Sequence, residues 1–276
     1  MDIYQKITNF YHATKNEKTI IGRSTFGRNI YAVKIGEGEP TGIAQYAIHG
    51  REFITATLAL AHYKKGLPKG SCWIVPLANP DGCLLSEIGL ASVEDETERT
   101  KLFALNKDSR DFSLWKANGR GVDLNVNFDA KWGKGVKNTR LAGSENYIGA
   151  APFSETESRA LKKFTQRIKP SYTVSYHTKG EEIYWQFLQP EKAKLRDRAL
   201  AEIIARATGY SIVSLSGSVG GYKDWCIQEF GIPSFTIEAG ADMFTHPLKE
   251  ESIENILTKN ENVLYDLSMA IWEMER

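Results

Sequence analysis

Ile3, Ile7, Phe10 and Tyr11 fall on one side of a helical repeat, which predicts a short amphipathic helix over residues 3–11. Two strand-like runs follow, KTIIGRS and RNIYAVKIG, and the short connection through Phe26-Gly27 makes them a hairpin. IAQYAI is nearly continuous in apolar character and ends at His49-Gly50, as a buried central strand does. From Glu52 to Tyr63 the spacing is helical, with Phe53, Ala56 and Leu60 on one side and Gly66-Leu67-Pro68 as the stop. CWIVPL reads as another buried strand, ended by a turn at Asn79-Pro80-Asp81-Gly82. Residues 85–150 are rich in Gly, Asn and charge with weak periodicity, so long loops with a few short elements are expected. Ser154 and Glu157 have the spacing of a capping box and predict a helix start. Then come strands YTVSYH and EIYWQF, a long helix from Glu191 to Thr208, a glycine-rich loop at 217–221, strand SFTIEA and a C-terminal helix. This alternation predicts an α/β fold with a mixed, mainly parallel sheet covered by helices on both faces.

Composition changes this picture little but excludes several classes. The 276 residues are 42% hydrophobic and 25% charged, an ordinary globular balance, and one domain over 1–276 is expected. With 35 basic and 34 acidic side chains the net charge is +1, which implies no broad attraction to nucleic acid or to an anionic membrane. Cys72, Cys83 and Cys226 form no C-x-x-C pair and read as buried thiols. MDIYQKITNF lacks the features of a secretory leader, and the longest apolar run, near Phe53 to Ala61, is far short of the roughly 20 residues that span a bilayer. A cytoplasmic location is the expectation.

Candidate chemistry gathers at strand ends. His49 stands at the carboxyl end of IAQYAI, where open α/β sheets place their ligands, and Glu52 lies three residues on. On a continuing strand these two side chains would face opposite ways, but a turn at Gly50 lets them converge on a metal ion at about 2 Å each. Phe53 fills the place of a second histidine, so neither H-E-x-x-H nor H-x-x-E-H is present. The third ligand must come from elsewhere, and His177, ending YTVSYH, is the best candidate. H-x-x-E alone arises often by chance. Two histidines and a glutamate leave one tetrahedral position open, the catalytic type of zinc site, which needs a carboxylate nearby to accept a proton. Glu238, at the end of SFTIEA, is placed to supply it.

The segments IHGREF, WIVPLANPDG, NGRGVDLNVNFDAKWG, PFSETESRAL, VSYHTKGEEIYW and GGYKDWCIQEFGIPSFTIEAG resemble those of the zinc carboxypeptidase A superfamily, in order and over most of the chain. The resemblance implies a single domain with a central twisted mixed sheet flanked by helices. It implies one zinc ion on His49, Glu52 and His177, with Glu238 as general base. Asp123 of GVDLN is similar to the family aspartate that hydrogen-bonds the first ligand histidine. Asn125 matches the asparagine that contacts a substrate carboxylate.

Two departures bear on specificity. The family usually reads DLNRNF, with an arginine gripping the substrate carboxylate, and this chain has Val126 there. The arginine that polarises the scissile carbonyl is matched by Lys116, a point charge without the planar fork. Nor does the mobile tyrosine of the digestive enzymes have a clear match: counting back from Asp224-Trp225 puts Ser216 in its place, and Tyr222 lies nearby. The runs SGSVGGYKDW and HTKGEEIYWQ resemble the bacterial branch that cleaves the γ-D-glutamyl to diaminopimelate bond of peptidoglycan peptides. A small peptide or muropeptide is thus the expected partner, with Lys116, Arg120, Lys131, Arg140 and Lys179 as the basic residues of the matching loops. Arg120, Asn125 and Tyr222 are the substrate-side candidates, and Lys116 joins Glu238 as catalytic. Removal of C-terminal residues from ordinary peptides, deacylation of small N-acyl amino acids and a non-catalytic zinc-containing module remain as alternatives.

Overall fold

α1 (Ile3–Ala13) is capped by Asp2, whose carboxylate accepts the Gln5 N–H at 2.8 Å, and it buries Ile3 and Ile7. The computed structural model describes residues 1–214 and 217–276. β1 (Lys18–Arg23) and β2 (Asn29–Glu37) form the expected antiparallel hairpin, with Gly27 at φ 80° in its turn. β3 (Thr41–Tyr46) is buried throughout but stops before Ile48, because Ala47 adopts φ 52° and turns the chain out of the sheet. A 3-10 turn at Gly50–Glu52 intervenes, so α2 (Thr55–Lys65) starts later than Glu52. Gly50 owes its identity to close packing: a Cβ there would lie 2.4 Å from the Gly82 carbonyl oxygen and 2.6 Å from that of Trp115.

β4 (Gly70–Val75) is followed by a helix where the sequence suggested only a turn. Asn79 caps α3 (Pro80–Ile88) by accepting the Gly82 N–H at 3.0 Å, and Pro80 occupies the first turn, where its missing N–H costs nothing. The loop-rich stretch also contains α4 (Glu96–Leu105), capped by Asp95. α5 (Thr156–Ile168) begins beyond Glu155, and the expected Ser154–Glu157 capping box does not form. Glu157 is instead buried and drawn to distant partners, the Thr25 N–H at 3.0 Å and the Asn118 amide at 3.3 Å. The remaining elements are β5 (Tyr172–His177), β6 (Glu182–Tyr184), α6 (Glu191–Thr208), β7 (Ser211–Val213), α7 (Tyr222–Phe230), β8 (Ser234–Glu238), α8 (Ile253–Asn260) and α9 (Val263–Met274). The single C-terminal helix expected is thus a pair, and β7 and α7 had no counterpart in the sequence reading.

Among the described residues the sheet has eight strands in the order β1-β2-β4-β3-β5-β8-β6-β7. Its centre, β4-β3-β5-β8, is parallel, so β3, β5 and β8 end at one edge. One face packs Tyr46, Ile74, Val174 and Phe235 against α2, α6, α8 and α9; the other packs Ile43, Trp73 and Val75 against α5, α7 and the Leu124–Ala130 segment. The expected α/β sheet with helices on both faces is therefore present. No helix among the described residues is long and apolar enough to cross a membrane.

Candidate metal centre and active site

Strand alternation sets the site. In β5, Tyr172, Val174 and Tyr176 enter the apolar core while Thr173, Ser175 and His177 share the opposite face; in β8, Phe235 and Ile237 enter the core while Ser234, Thr236 and Glu238 face the other way. His177 and Glu238 are register partners, so two residues far apart in sequence end side by side at the carboxyl edge. The period-two pattern is visible in YTVSYH and SFTIE and could have shown which side of the sheet carries the site.

His49, Glu52 and His177 converge. His49 Nδ1 lies 2.9 Å from Glu52 Oε1 and 3.0 Å from His177 Nδ1, and His177 Nδ1 lies 3.1 Å from Glu52 Oε2. All three side chains are buried. The three contacts close a triangle, yet two imidazoles have at most one Nδ1–H each and an ionised carboxylate has none. Three edges cannot all be bridged by two protons, whereas a cation at the centre serves every donor at once. Ligands about 2 Å from a tetrahedral zinc are roughly 3.3 Å apart, close to the spacing here. The donor set therefore fits one zinc ion. Burial pushes the Glu52 carboxyl up, but His49 and His177 outweigh it and hold the group well below the usual carboxylate range.

Behind the triangle, Asp123 Oδ1 lies 3.2 Å from His49 Nε2 and Asp123 Oδ2 lies 2.9 Å from Lys116 Nζ. The Asn125 and Asn146 N–H groups also donate to this carboxylate, at 3.1 and 3.2 Å. Burial opposes its charge, but Lys116 and His49 keep Asp123 well below the normal range. Burial likewise would lower Lys116, and Asp123 with Glu52 reverses this, so the ammonium is held above its ordinary value. With Nε2 facing Asp123, His49 presents Nδ1 to the triangle.

The triangle opens on a cavity of about 400 Å³ that His49, Lys116, Asn125, Val126, Tyr184, Thr236 and Glu238 help to line. Burial raises the Glu238 carboxyl to about 7, against the opposing pull of His177. Asn125 is at the wall, its side-chain oxygen accepting the Tyr222 N–H at 3.2 Å. Val126 is also at the wall, so no cation stands where a carboxylate-gripping arginine was missed.

Other expectations fail on side-chain direction. Tyr222 is fully buried, its hydroxyl 2.7 Å from Thr165 Oγ1 and its ring packed on Phe128, so it belongs to the core and not to a substrate site. Arg120 points to solvent with 64% of its side chain exposed, 4.0 Å from Glu155, and is not part of the cavity. Lys131 is exposed, Arg140 lies over Trp132, and Lys179 binds Asp242, so of the five basic residues considered only Lys116 lines the cavity. Ser216 lies outside the described residues. Sequence reading missed Lys137, Lys223 and Asp224, which also line the cavity. The first turn of an unrecognised helix hid the last two.

The sequence profile of the zinc carboxypeptidases matches residues 5–263. A gamma-D-glutamyl-L-diamino acid endopeptidase 1 from Lysinibacillus sphaericus is 32% identical over 253 residues, covering 84% of this chain; the chain spans 62% of that protein's length. Bovine thrombin-activatable fibrinolysis inhibitor, solved in complex with tick carboxypeptidase inhibitor, has the same fold, with a TM-score of 0.76, 22% identity and coverage of 99% of this chain and 98% of that one. Murein-tripeptide amidase MpaA from Escherichia coli O157 gives a TM-score of 0.60 at 23% identity, covering 91% of this chain and 92% of that one, again a likeness of fold.

Proposed function

The chain belongs to the zinc carboxypeptidase family, and from that membership we propose that residues 1–276 act as one zinc-dependent peptidase domain cleaving a γ-D-glutamyl to diaminopimelate amide in peptidoglycan peptides. The observation that carries the reading is the buried His49–Glu52–His177 triangle opening on a cavity that also holds Glu238. A zinc ion held there supplies Lewis acidity toward the scissile carbonyl and activates water. Glu238 accepts the proton of the attacking water and returns it to the leaving amine. Lys116, at the cavity wall and fixed by Asp123, sets a positive charge toward the oxygen that becomes negative. Asn125 holds a polar group of the substrate.

The choice of bond has one support, since a terminal diaminopimelate carries the same α-carboxylate as an ordinary C-terminus and Val126 withholds the arginine fork from both. The name of the Lysinibacillus relative describes a γ-D-glutamyl-diamino acid linkage. The test is to incubate zinc-loaded protein with L-Ala-γ-D-Glu-diaminopimelate beside an unbranched peptide and to identify products by mass spectrometry. Release of diaminopimelate with the unbranched peptide intact is the expected result. Steady trimming of the unbranched peptide alone would replace this reading with an ordinary carboxypeptidase.

A further inference from the structure

Lys116, Lys137 and Lys223 line the cavity beside His49 and Glu238. Lys116 Nζ is held 2.9 Å from Asp123 Oδ2. Lys223 Nζ donates to Asp224 Oδ1 at 2.5 Å and to the Gln186 carbonyl at 3.1 Å, and it lies 5.7 Å from the centre of the Phe187 ring. Lys137 differs from both, because no acid, carbonyl or ring among the described residues takes its ammonium. Among the described residues it is therefore the cavity cation whose charge is still unmatched.

The backbone fixes where this lysine stands. It is the third residue of a turn closed by the Asn138 N–H, which donates to the Gly135 carbonyl at 3.1 Å. The Val136 N–H ties the turn to the Gly217 carbonyl at 3.2 Å, and the Trp132 indole N–H ties its base to the Ile148 carbonyl at 2.9 Å. The segment carrying Asn125 and Val126 lies on the same glycine-rich stretch: the Phe128 N–H donates to the Gly220 carbonyl at 2.9 Å, and a Cβ on Gly220 would come 3.2 Å from the Val126 carbonyl oxygen. Lys137 and Asn125 thus reach the cavity from neighbouring parts of one wall. Asn125 Oδ1 is taken by the Tyr222 N–H, but nothing among the described residues accepts from its Nδ2. Asn138 Nδ2, also at this wall, is buried without a hydrogen-bond partner.

An unmatched ammonium beside two unspent amide donors suits a carboxylate, which brings one negative charge and about four acceptor positions. A neutral carbonyl would accept the hydrogen bonds and leave the ammonium without a counter-charge. The Asn125 N–H donates to Asp123, which also faces His49, so this donor set begins next to the metal centre and fits the carboxylate nearest the scissile bond. We propose that Lys137 supplies the cation for that carboxylate, the one on the residue to be released, with Asn125 and Asn138 beside it. Lys137 then determines specificity: a released residue that is amidated or extended there lacks the charge and is bound less well. The site rests on the peptidase reading for its place beside the scissile bond.

The test compares L-Ala-γ-D-Glu-diaminopimelate with two monoamides of it, one at the diaminopimelate carboxylate next to the scissile nitrogen and one at the far end. Titrated calorimetrically into zinc-loaded Glu238→Gln protein, the near amide is expected to bind about tenfold more weakly than the free acid, as one lost charge-assisted hydrogen bond predicts. Lys137 is exposed at its turn, so Lys137→Met should fold and bind zinc as before. In the zinc-loaded Glu238→Gln background it should erase the near-amide difference and leave the far-amide difference unchanged, while Lys137→Arg should keep both. Equal binding of free acid and near amide before that substitution, or a near-amide difference that persists after it, overturns the site. An effect of Lys137→Met confined to the far amide overturns it too. Wild-type turnover separates this site from the peptidase reading. Equal cleavage of free acid and near amide removes the site and leaves the peptidase, whereas selective binding with no cleavage removes the peptidase and leaves the site.

Discussion

Glu238 is raised to about 7 by burial, yet the role proposed for it requires a carboxylate that takes a proton and gives it back. Glu238→Gln keeps the shape and removes the acceptor, so turnover is expected to fall roughly 10²–10⁴-fold while zinc stoichiometry, read by elemental analysis, stays at one. Near-normal turnover would remove Glu238 from the reaction. Asp123 acts at one remove, through its 3.2 Å contact with His49. Asp123→Ala is expected to weaken zinc binding about 10–100-fold in a competition with a chelating dye, and unchanged affinity would show that His49 needs no such support. His49, Glu52, His177 and Glu238 were singled out by strand-end position together with the family resemblance, and the structure brings the first three to one point with Glu238 at the adjoining cavity wall. Tyr222 and Arg120 were misread because closeness to a motif says nothing about direction: one turns into the core and the other into solvent. Lys223 stood inside the matching run SGSVGGYKDW without being singled out, and α7 brought it to the cavity.

α2 and α8 are tied by a histidine that takes no part in the site. His62 Nδ1 lies 2.6 Å from the Tyr46 hydroxyl and Nε2 lies 2.8 Å from the Asn260 carbonyl, an arrangement that suits a neutral ring. Burial lowers His62 to about 4, against an ordinary 6.5. The unfolded chain therefore takes up the proton first: stability from this group is intact above about 6.5, declines as pH falls, and is lost progressively down to about 4. The whole effect is about 3 kcal/mol. Urea unfolding of wild type and His62→Gln from pH 7.5 to 4 should show their stability gap narrowing by about that amount, and a constant gap would assign the ring no pH-linked role. Element prediction succeeded where the repeat is long, as in α6 and β5, whose ends match the sequence reading. It failed at α3 because Asn79-Pro80 is a turn signal and a helix start alike, and the choice falls to Asn79, whose amide also donates to the Ile48 and Ala117 carbonyls. The capping box failed because the Glu157 carboxylate is taken by Thr25 and Asn118, 132 and 39 residues away.

The metal centre draws on a turn after β3 and on the end of β5, so zinc binding and folding are coupled through the whole sheet. Free zinc at about 1,000 times its dissociation constant should add about 4 kcal/mol to stability, seen as a rise in melting temperature that chelation reverses. A melting temperature indifferent to both would mean that the triangle does not hold the ion in the folded state. By itself the sequence determined the alternation of strands and helices, and hence a layered α/β molecule, because periodicity depends only on neighbours along the chain. It also determined which residue types stand at the strand ends. The tertiary structure alone decided which of them meet: parallel pairing of β3, β5 and β8 aligned their carboxyl ends, and strand parity turned His177 and Glu238 to one side. Helix packing then assigned Tyr222 to the core and Lys223 to the cavity. Those outcomes depend on contacts between residues from about sixty to more than a hundred positions apart, and local spacing carries no information about such distances.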